Sequence, residues 1–249
     1  MLSFMSAKIR LYVDHPLGEG QTVPLSREQA HYLFGVMRLG PGGQVLLFNG
    51  RDGEWRAEIT GAGKREGAAQ VLERTRPLQA PPDLWLLFAP IKKARTDFIV
   101  EKAAEMGAAR ILPVLTEYTN AERVRVDRLQ AHAVEAAEQC GGTFVPEVAA
   151  PQKLAVLLDG WPGERQILFA DEALAEAGAG QMPDIAANRD LKAPWAILIG
   201  PEGGFSARER DRLRAMDNSH PVRLGPRILR ADTAAVAALT LWQSTLGDW

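Results

Sequence analysis

The stretch that decides the fold is WAILIGPEGGFSARE, residues 195–209. Its apolar run at 195–199 predicts a buried strand, and Ser206 and Glu209 have the spacing of a capping box that starts a helix. Between them lies a glycine-rich loop, in which the missing Cβ atoms let the backbone turn sharply and approach a ligand. Ligands bind where the strands of open α/β sheets end. The loop therefore predicts a binding site, although alone it could be a simple entry turn into the helix.

A second segment, LGPRILRADTA at residues 224–234, has a similar context. It follows a short strand predicted at 222–224 and runs into an Ala-rich stretch that predicts a helix over 234–246. That helix is apolar on most sides, so we expect it to be buried in the core or against a second subunit.

Composition narrows the class of protein. The chain has 249 residues, a net charge of −2 and one cysteine, Cys140. A lone cysteine excludes an intramolecular disulfide and favours a reducing cytoplasm. The four scattered histidines have no accompanying cysteine pairs, so we expect no metal site. No apolar run is long enough to span a bilayer, so we expect no membrane association.

Positive charge is concentrated between residues 204 and 230, which hold seven arginines against three acidic residues. A basic surface on a nearly neutral protein suits a phosphate backbone. For the arginines between 208 and 214, a solvated helix face with alternating charge is the alternative.

The first part of the chain is predicted to be β-rich, with strands at 9–13, 44–48, 54–60 and 69–74. One helix interrupts them, capped by Ser26 with Gln29 at its third position. His31 and Arg38 are seven residues apart, so on a regular helix they share a face and are candidates for ligand or RNA contact; ordinary solvated side chains are the alternative. A proline-containing linker at 77–83 separates a domain at 1–76 from one at 84–249.

Strands and helices alternate beyond the linker, which predicts an α/β domain with a mostly parallel sheet covered on both faces. Strands are predicted at 84–89, 110–115, 143–148 and 166–170, and helices at 96–106 and 127–138. The chain has no P-loop, no Gly-x-Gly-x-x-Gly after a first strand and no Gly-x-Ser-x-Gly elbow, which argues against the commonest nucleotide and hydrolase sites.

Several short motifs spread along the whole chain together resemble one known family. The resemblance is carried by residues 199–204 and 224–234, by Lys92-Lys93, by Glu138-Gln139-Cys140-Gly141, and by residues 9–13 and 31–39 near the N-terminus. These motifs resemble the RsmE-type 16S ribosomal RNA (uracil-N3)-methyltransferases of the SPOUT superfamily.

The resemblance implies a small PUA-like β-barrel domain followed by an α/β domain with a C-terminal trefoil knot. It also implies a cytoplasmic homodimer that uses S-adenosyl-L-methionine to methylate N3 of a uridine in the decoding region of 16S rRNA, in the small ribosomal subunit. Two alternatives stay open: a SPOUT enzyme with another RNA target, such as a ribose 2′-oxygen, and a non-catalytic RNA-binding assembly factor.

By this resemblance we assign residues to three tasks. Arg230 is the first candidate for stabilising the negative charge that develops on the uracil oxygens, and Arg227 is the second; an ion pair with Asp232 is the alternative for Arg230. Glu202, Asp232 or a water could take the N3 proton. RNA contacts are predicted for Arg10, His31, Arg38, Lys92 and Lys93. The cofactor-binding residues are predicted to be Phe88, Ala89, Leu198, Ile199, Gly200, Pro201, Glu202, Gly203, Leu224, Gly225, Ile228, Leu229, Arg230, Thr233 and Ala234.

Three positions depart from the pattern of that family. Ala231 and Asp232 stand where the family often has Thr and Glu, and Gly142 stands where an Arg is common. If that Arg normally contacts RNA or the other subunit, Arg123 or Arg125 could replace it.

Overall fold

The computed structural model describes residues 9–63, 66–120, 123–176 and 193–249. The chain divides into two compact units. The first comprises Met1–Ala80 and Ala137–Val145, and the second comprises Pro81–Ala136 and Pro146–Trp249. The first unit is therefore discontinuous in sequence, a feature that the composition of the linker does not reveal.

A five-stranded sheet forms the first unit, in the order β1-β3-β4-β5-β2. Its neighbouring strands are antiparallel except for the parallel pair β1 and β3. Side chains from alternate strand positions, including Val45, Leu47, Ala57 and Ile59, form the core. The strands are β1 (Arg10–Tyr12), β2 (Thr22–Leu25), β3 (Gln44–Phe48), β4 (Glu54–Ala62) and β5 (Gly67–Arg76); β2 has no counterpart among the predicted strands.

The helix of the first unit begins as predicted but ends differently. Ser26 and Gln29 form the capping box at the start of α1 (Arg27–Ala30). The helix then widens into a π-helical turn at His31–Val36, and Arg38 lies beyond it with a left-handed φ of +55°. The prediction that His31 and Arg38 share a helix face is therefore wrong, because it assumed an unbroken repeat of 3.6 residues per turn.

A second sheet forms the core of the second unit, and all of its described pairings are parallel. Its order is β12-β10-β11-β6-β7-β8, with β9 paired to β7. This confirms the prediction of a mostly parallel sheet in an α/β fold. The strands are β6 (Leu84–Phe88), β7 (Arg110–Leu115), β8 (Glu147–Val148), β9 (Gln152–Lys153), β10 (Gln166–Ala170), β11 (Trp195–Ile199) and β12 (Ser219–Val222).

The remaining helices are α2 (Lys93–Glu105), α3 (Val126–Cys140), α4 (Leu154–Asp159), α5 (Glu172–Glu176), α6 (Ala207–Arg214) and α7 (Ala231–Leu246). The last turn of α3 belongs to the first unit and the other helices to the second. Helix α7 packs against α2 and β11, and the buried amide of Gln243 donates a hydrogen bond of 2.6 Å to the Met106 carbonyl. Among the described residues, no helix is both long and apolar enough to cross a membrane.

Three predicted elements are shifted in the structure. The strand expected at 222–224 lies at Ser219–Val222, where it pairs with β10, and the following residues form a loop. Of the strand expected at 143–148, only Glu147–Val148 pairs with a neighbour, β7. Helix α2 begins at Lys93, three residues before the predicted start.

Candidate active site

Three neighbouring strands of the parallel sheet end at one cavity. The cavity has a volume of about 240 Å³ and is lined by Ala170, Ile199 and Val222, which are the last residues of β10, β11 and β12. Strands β10 and β11 are adjacent, as are β10 and β12. Because parallel strands end at the same edge of a sheet, the loops that follow them converge at this edge.

Most of the cofactor-binding residues predicted from the two loops line this cavity. The first loop contributes backbone and small side chains, and the second contributes apolar and cationic side chains. The predicted cofactor residues among the lining are Ile199, Gly200, Pro201, Glu202, Leu224, Gly225, Ile228, Leu229, Arg230 and Ala234, and the predicted catalytic residue Arg227 also lines the cavity.

Five predicted cofactor residues lie elsewhere. Phe88 is the buried last residue of β6, and Leu198 is buried within β11 as part of the hydrophobic core. Ala89 follows β6 and donates its backbone N–H to the Ile199 carbonyl at 2.9 Å. Gly203 and Thr233 are exposed and are not among the residues that line the cavity.

Further residues that the sequence patterns did not single out line the cavity, two of them at the third strand end. Asp171 and Glu172 directly follow β10 and line the cavity, and Gly204 and Ala231 do so as well. The signal for Asp171 and Glu172 is the strand predicted at 166–170, because ligands bind where the strands of open α/β sheets end.

Glu172 packs tightly against the glycine-rich loop. Its Oε1 accepts a hydrogen bond of 3.3 Å from the Phe205 backbone N–H and lies 3.6 Å from a guanidinium nitrogen of Arg210. Gly204 has a φ of +69°, and a Cβ atom placed there would lie 1.8 Å from Glu172 Oε1. The loop therefore requires glycine at position 204 for two separate reasons, its backbone conformation and its neighbour.

We expect Gly204→Ala to lower the free energy of unfolding by about 1–3 kcal/mol, because alanine is disfavoured in the left-handed region and must displace Glu172. Urea denaturation measures the effect. Gly203→Ala is the matched control, since a Cβ there meets Tyr118 at an ordinary distance of 3.4 Å. Equal stability of the two variants would contradict this account of Gly204.

Charged side chains stand at the rim of the cavity. Glu202, Arg227 and Arg230 are exposed, and among the described residues none of the three has an ion-pair partner. The alternative pairing of Arg230 with Asp232 is not formed. Asp232 pairs with Arg95 of α2 instead, and its Oδ1 accepts the Thr233 backbone N–H at 2.9 Å.

Arg230 occupies the N-cap position of α7 through its backbone alone. Its carbonyl accepts a hydrogen bond of 2.7 Å from Ala234 N–H, while its side chain makes no capping hydrogen bond. The guanidinium is therefore available to a ligand, and the side chain can be truncated without removing a helix cap.

Three of the four arginines of α6 contact neighbouring protein groups. Arg212 pairs with Asp159 at 2.7 Å, and Arg214 pairs with the buried Asp171. Arg210 donates to the Phe205 carbonyl at 2.6 Å. These contacts favour the interpretation of α6 as an ordinary charged helix over that of a continuous basic surface.

Arg10 does not present its guanidinium to solvent. Its Nε donates to Glu54 at 2.6 Å, and its terminal nitrogens donate to the carbonyls of Ala137, Glu138 and Gly142 at 2.8, 2.8 and 2.9 Å. Arg10 thus ties the segment 137–142 to the first sheet. Its guanidinium is engaged by these groups in the structure, and the RNA contact of Arg10 stays a prediction.

The other predicted RNA contacts are exposed. His31 and Arg38 lie on the surface of the first unit. Lys92 and Lys93 are exposed at the start of α2 in the second unit, where they line a second cavity. Within the described parts of the chain, no cluster of three His, Cys, Asp or Glu residues could hold a metal ion.

Comparison with known families agrees with this two-unit architecture. The family described as RNA methyltransferase domain matches residues 79–243, and the family described as RNA methyltransferase PUA domain matches residues 25–72. A relative from Synechocystis sp., named ribosomal RNA small subunit methyltransferase E, is 31% identical over 88% of this chain and 71% of its own length. The chain belongs to this family of ribosomal RNA methyltransferases. The N-terminal unit accordingly contains a PUA-type domain.

Other family members match along nearly their full length. The ribosomal RNA small subunit methyltransferase E of Rickettsia conorii is 29% identical over 92% of this chain and 93% of its own. The crystal structure of the Neisseria gonorrhoeae ribosomal RNA small subunit methyltransferase E, bound to S-adenosyl methionine, superposes with a TM-score of 0.85 at 28% identity and covers 97% of this chain and 99% of that one. The fold of this chain is thus that of the family throughout.

Proposed function

We propose that this chain transfers a methyl group from S-adenosyl-L-methionine to N3 of a uridine in the decoding region of 16S rRNA. The observation that carries the proposal is the cavity at three parallel strand ends, with the exposed Arg230 at its rim, in a member of the ribosomal RNA small subunit methyltransferase E family.

The lining of the cavity fits the proposed cofactor. Ile199, Leu224, Ile228 and Leu229 offer apolar cover for an adenine ring. The loops on both sides offer backbone N–H and C=O groups for its edge, and the rim carboxylate of Glu202 can accept hydrogen bonds from a ribose or an amine. When bound there, the cofactor supplies an electrophilic methyl group.

The protein's own residues would then prepare the uridine. Loss of the N3 imide proton spreads negative charge onto the uracil carbonyl oxygens, and a guanidinium beside them stabilises that charge. Arg230 is the first candidate for this role and Arg227 the second. Glu202 is the better placed of the two candidate bases, because Asp232 is ion-paired with Arg95 while Glu202 lines the cavity; a water could also take the proton.

Further features of the family belong to this proposal. We expect the C-terminal part of the second unit to form a trefoil knot and the protein to act as a homodimer. The N-terminal domain, 1–76, would bind the small-subunit RNA through His31 and Arg38. Contacts from these side chains to phosphates would fix the position of the protein along the RNA. The proposed target base must leave its stack before N3 can react.

The deciding experiment compares methyl transfer from labelled S-adenosylmethionine to unmodified 30S subunits and to free 16S RNA. Mass mapping then identifies the modified nucleotide. We expect a single methyl on N3 of a decoding-region uridine. A methyl group on a ribose 2′-oxygen or elsewhere in the RNA would instead favour a SPOUT enzyme with another target. If calorimetry detected no binding of S-adenosylmethionine, a non-catalytic assembly factor would be favoured.

A further inference from the structure

The second unit contains another cavity, of about 470 Å³, where β6 leads into α2 and β7 leads towards α3. Five cationic side chains and one carboxylate, Asp97, are among its lining residues; the cations are Lys92, Lys93, Arg123, Arg125 and Arg128. The chain as a whole has a net charge of −2. The cavity is therefore a local concentration of positive charge on a slightly acidic protein.

Ion pairs balance only part of this charge. Arg128 pairs with Asp97, which is 6% exposed. Arg125 pairs with Asp127 at 2.6 Å, with both side chains well exposed. Lys92, Lys93 and Arg123 are exposed, and no ion pair to them is found among the described residues. Three cations at this cavity are left for an anionic ligand.

The N-terminus of α2 carries positively charged side chains, which are unfavourable at that end of a helix. Lys92 is the N-cap residue without a side-chain capping hydrogen bond, Lys93 follows it, and the first turn has no acidic residue. Helix N-termini carry a partial positive charge and favour acidic residues or bound anions. Lysines at this position are unfavourable to the helix by themselves, and an anion in the cavity would reverse that effect.

An ion pair connects this cavity to the candidate active site. The first turn of α2 contributes Lys93 to the basic cavity and Arg95 to the ion pair with Asp232. Asp232 lies in the first turn of α7, whose residues Ala231 and Ala234 line the active-site cavity. The first turn of α2 thus contacts both the basic cavity and the helix whose N-cap residue is Arg230.

We propose that the basic cavity binds a backbone phosphate of the RNA strand that carries the target nucleotide. The proposal rests on the proposed function and assigns Arg123, together with Lys92 and Lys93, to a phosphate site. Contacts to phosphates fix the register of a strand without reading its sequence. The site would hold the strand in place while the target base enters the neighbouring cavity.

The test compares the double variant Lys92→Ala/Arg123→Ala with the control Lys153→Ala/Arg74→Ala. Each removes two exposed cations for which the described residues show no ion pair, and the control residues line neither cavity. The probe is unmodified 16S RNA, bound without methyl donor at several salt concentrations. We expect the first variant to bind roughly tenfold more weakly, with a salt-dependence slope smaller by about 0.7 for the loss of one phosphate contact to a single strand. The control should match the wild type.

Two outcomes would overturn the phosphate site. One is an RNA affinity and salt slope in the Lys92/Arg123 variant equal to those of the control. The other is a loss of S-adenosylmethionine affinity with RNA binding intact, which would assign the cavity to the cofactor. Because RNA binding is measured directly, these results are distinct from a failure of the proposed function, which would show as absent methyl transfer by the wild type.

Discussion

Replacing Arg230 with alanine should lower turnover by roughly 10²–10³-fold, which corresponds to about 2.7–4 kcal/mol of lost transition-state stabilisation. The physical reason is that the guanidinium stabilises charge that develops on the uracil oxygens only as the N3 proton leaves. Its side chain makes no cap hydrogen bond in the structure, so the folded state should be unaffected. Single-turnover methyl transfer with 30S subunits measures the chemical step, and calorimetry measures the affinity for S-adenosylmethionine.

Two comparisons make this prediction specific. Arg227→Ala removes the neighbouring exposed guanidinium of the same cavity, and we expect it to lower turnover less than Arg230→Ala. Arg230→Lys keeps the charge but loses the planar fork of donors, so it should restore part of the rate. Turnover of Arg230→Ala within twofold of the wild type would remove Arg230 from the mechanism. A larger loss of turnover in Arg227→Ala than in Arg230→Ala would make Arg227, not Arg230, the residue that stabilises the charge on the uracil oxygens.

The strand-loop-helix pattern of residues 195–209 predicts a binding site at a place where the structure has a cavity. An apolar run, a glycine-rich loop and a capping box are local features, and the structure confirms each of them, including the box formed by Ser206 and Glu209. The parallel sheet could also be predicted, because the alternation of strands and helices is visible along the chain. The sheet then brings the ends of β10, β11 and β12 together.

The fates of individual charged side chains could not be predicted in this way. Arg10 and Arg38 are both arginines within the first forty residues, yet one is enclosed by carbonyls of residues 137–142 and the other is exposed. These carbonyls are more than 120 residues from Arg10 along the chain, and no local pattern encodes such a contact. The ion pair between Arg95 and Asp232 is equally long-range. Through this ion pair the carboxylate of Asp232 links α7 to α2, which gives it a structural role.

The π-helical turn at His31–Val36 could not be predicted from the spacing of apolar residues either. A repeat of 3.6 residues predicted a regular helix there, while the structure has a wider turn that ends in the left-handed Arg38. Such turns are rare and often occur at functional sites. Its exposed residues, including Tyr32 at 40% exposure, lie beside the proposed RNA contacts His31 and Arg38.

Replacing Glu54 with alanine should have the largest effect on stability, about 3–5 kcal/mol, because it leaves two arginines without their shared partner. Glu54 is 2% exposed. It accepts hydrogen bonds from Arg10 at 2.6 Å, from Arg76 at 2.6 and 3.0 Å, and from Thr75 at 2.9 Å. Urea denaturation measures the loss. Glu73→Ala is the matched control, since its ion pair with Arg56 is on the surface and should contribute at most about 1 kcal/mol.

The same carboxylate makes stability depend on pH. Burial raises the pKa of Glu54, but the hydrogen bonds from Arg76, Arg10 and Thr75 outweigh it and lower the pKa from 4.5 to about 2. A carboxyl group whose pKa is lower in the folded than in the unfolded state stabilises the folded state. The full contribution, here about 3 kcal/mol, is present above the unfolded-state pKa of 4.5 and is lost as the pH falls from 4.5 towards 2. Glu54→Gln cannot titrate, so the difference in unfolding free energy between it and the wild type should shrink across that range. If the difference in unfolding free energy between Glu54→Gln and the wild type stayed constant between pH 6 and pH 2, the lowered pKa would be contradicted. Glu73→Gln is the control. The Glu73 side chain is largely exposed, so the corresponding difference should change little with pH.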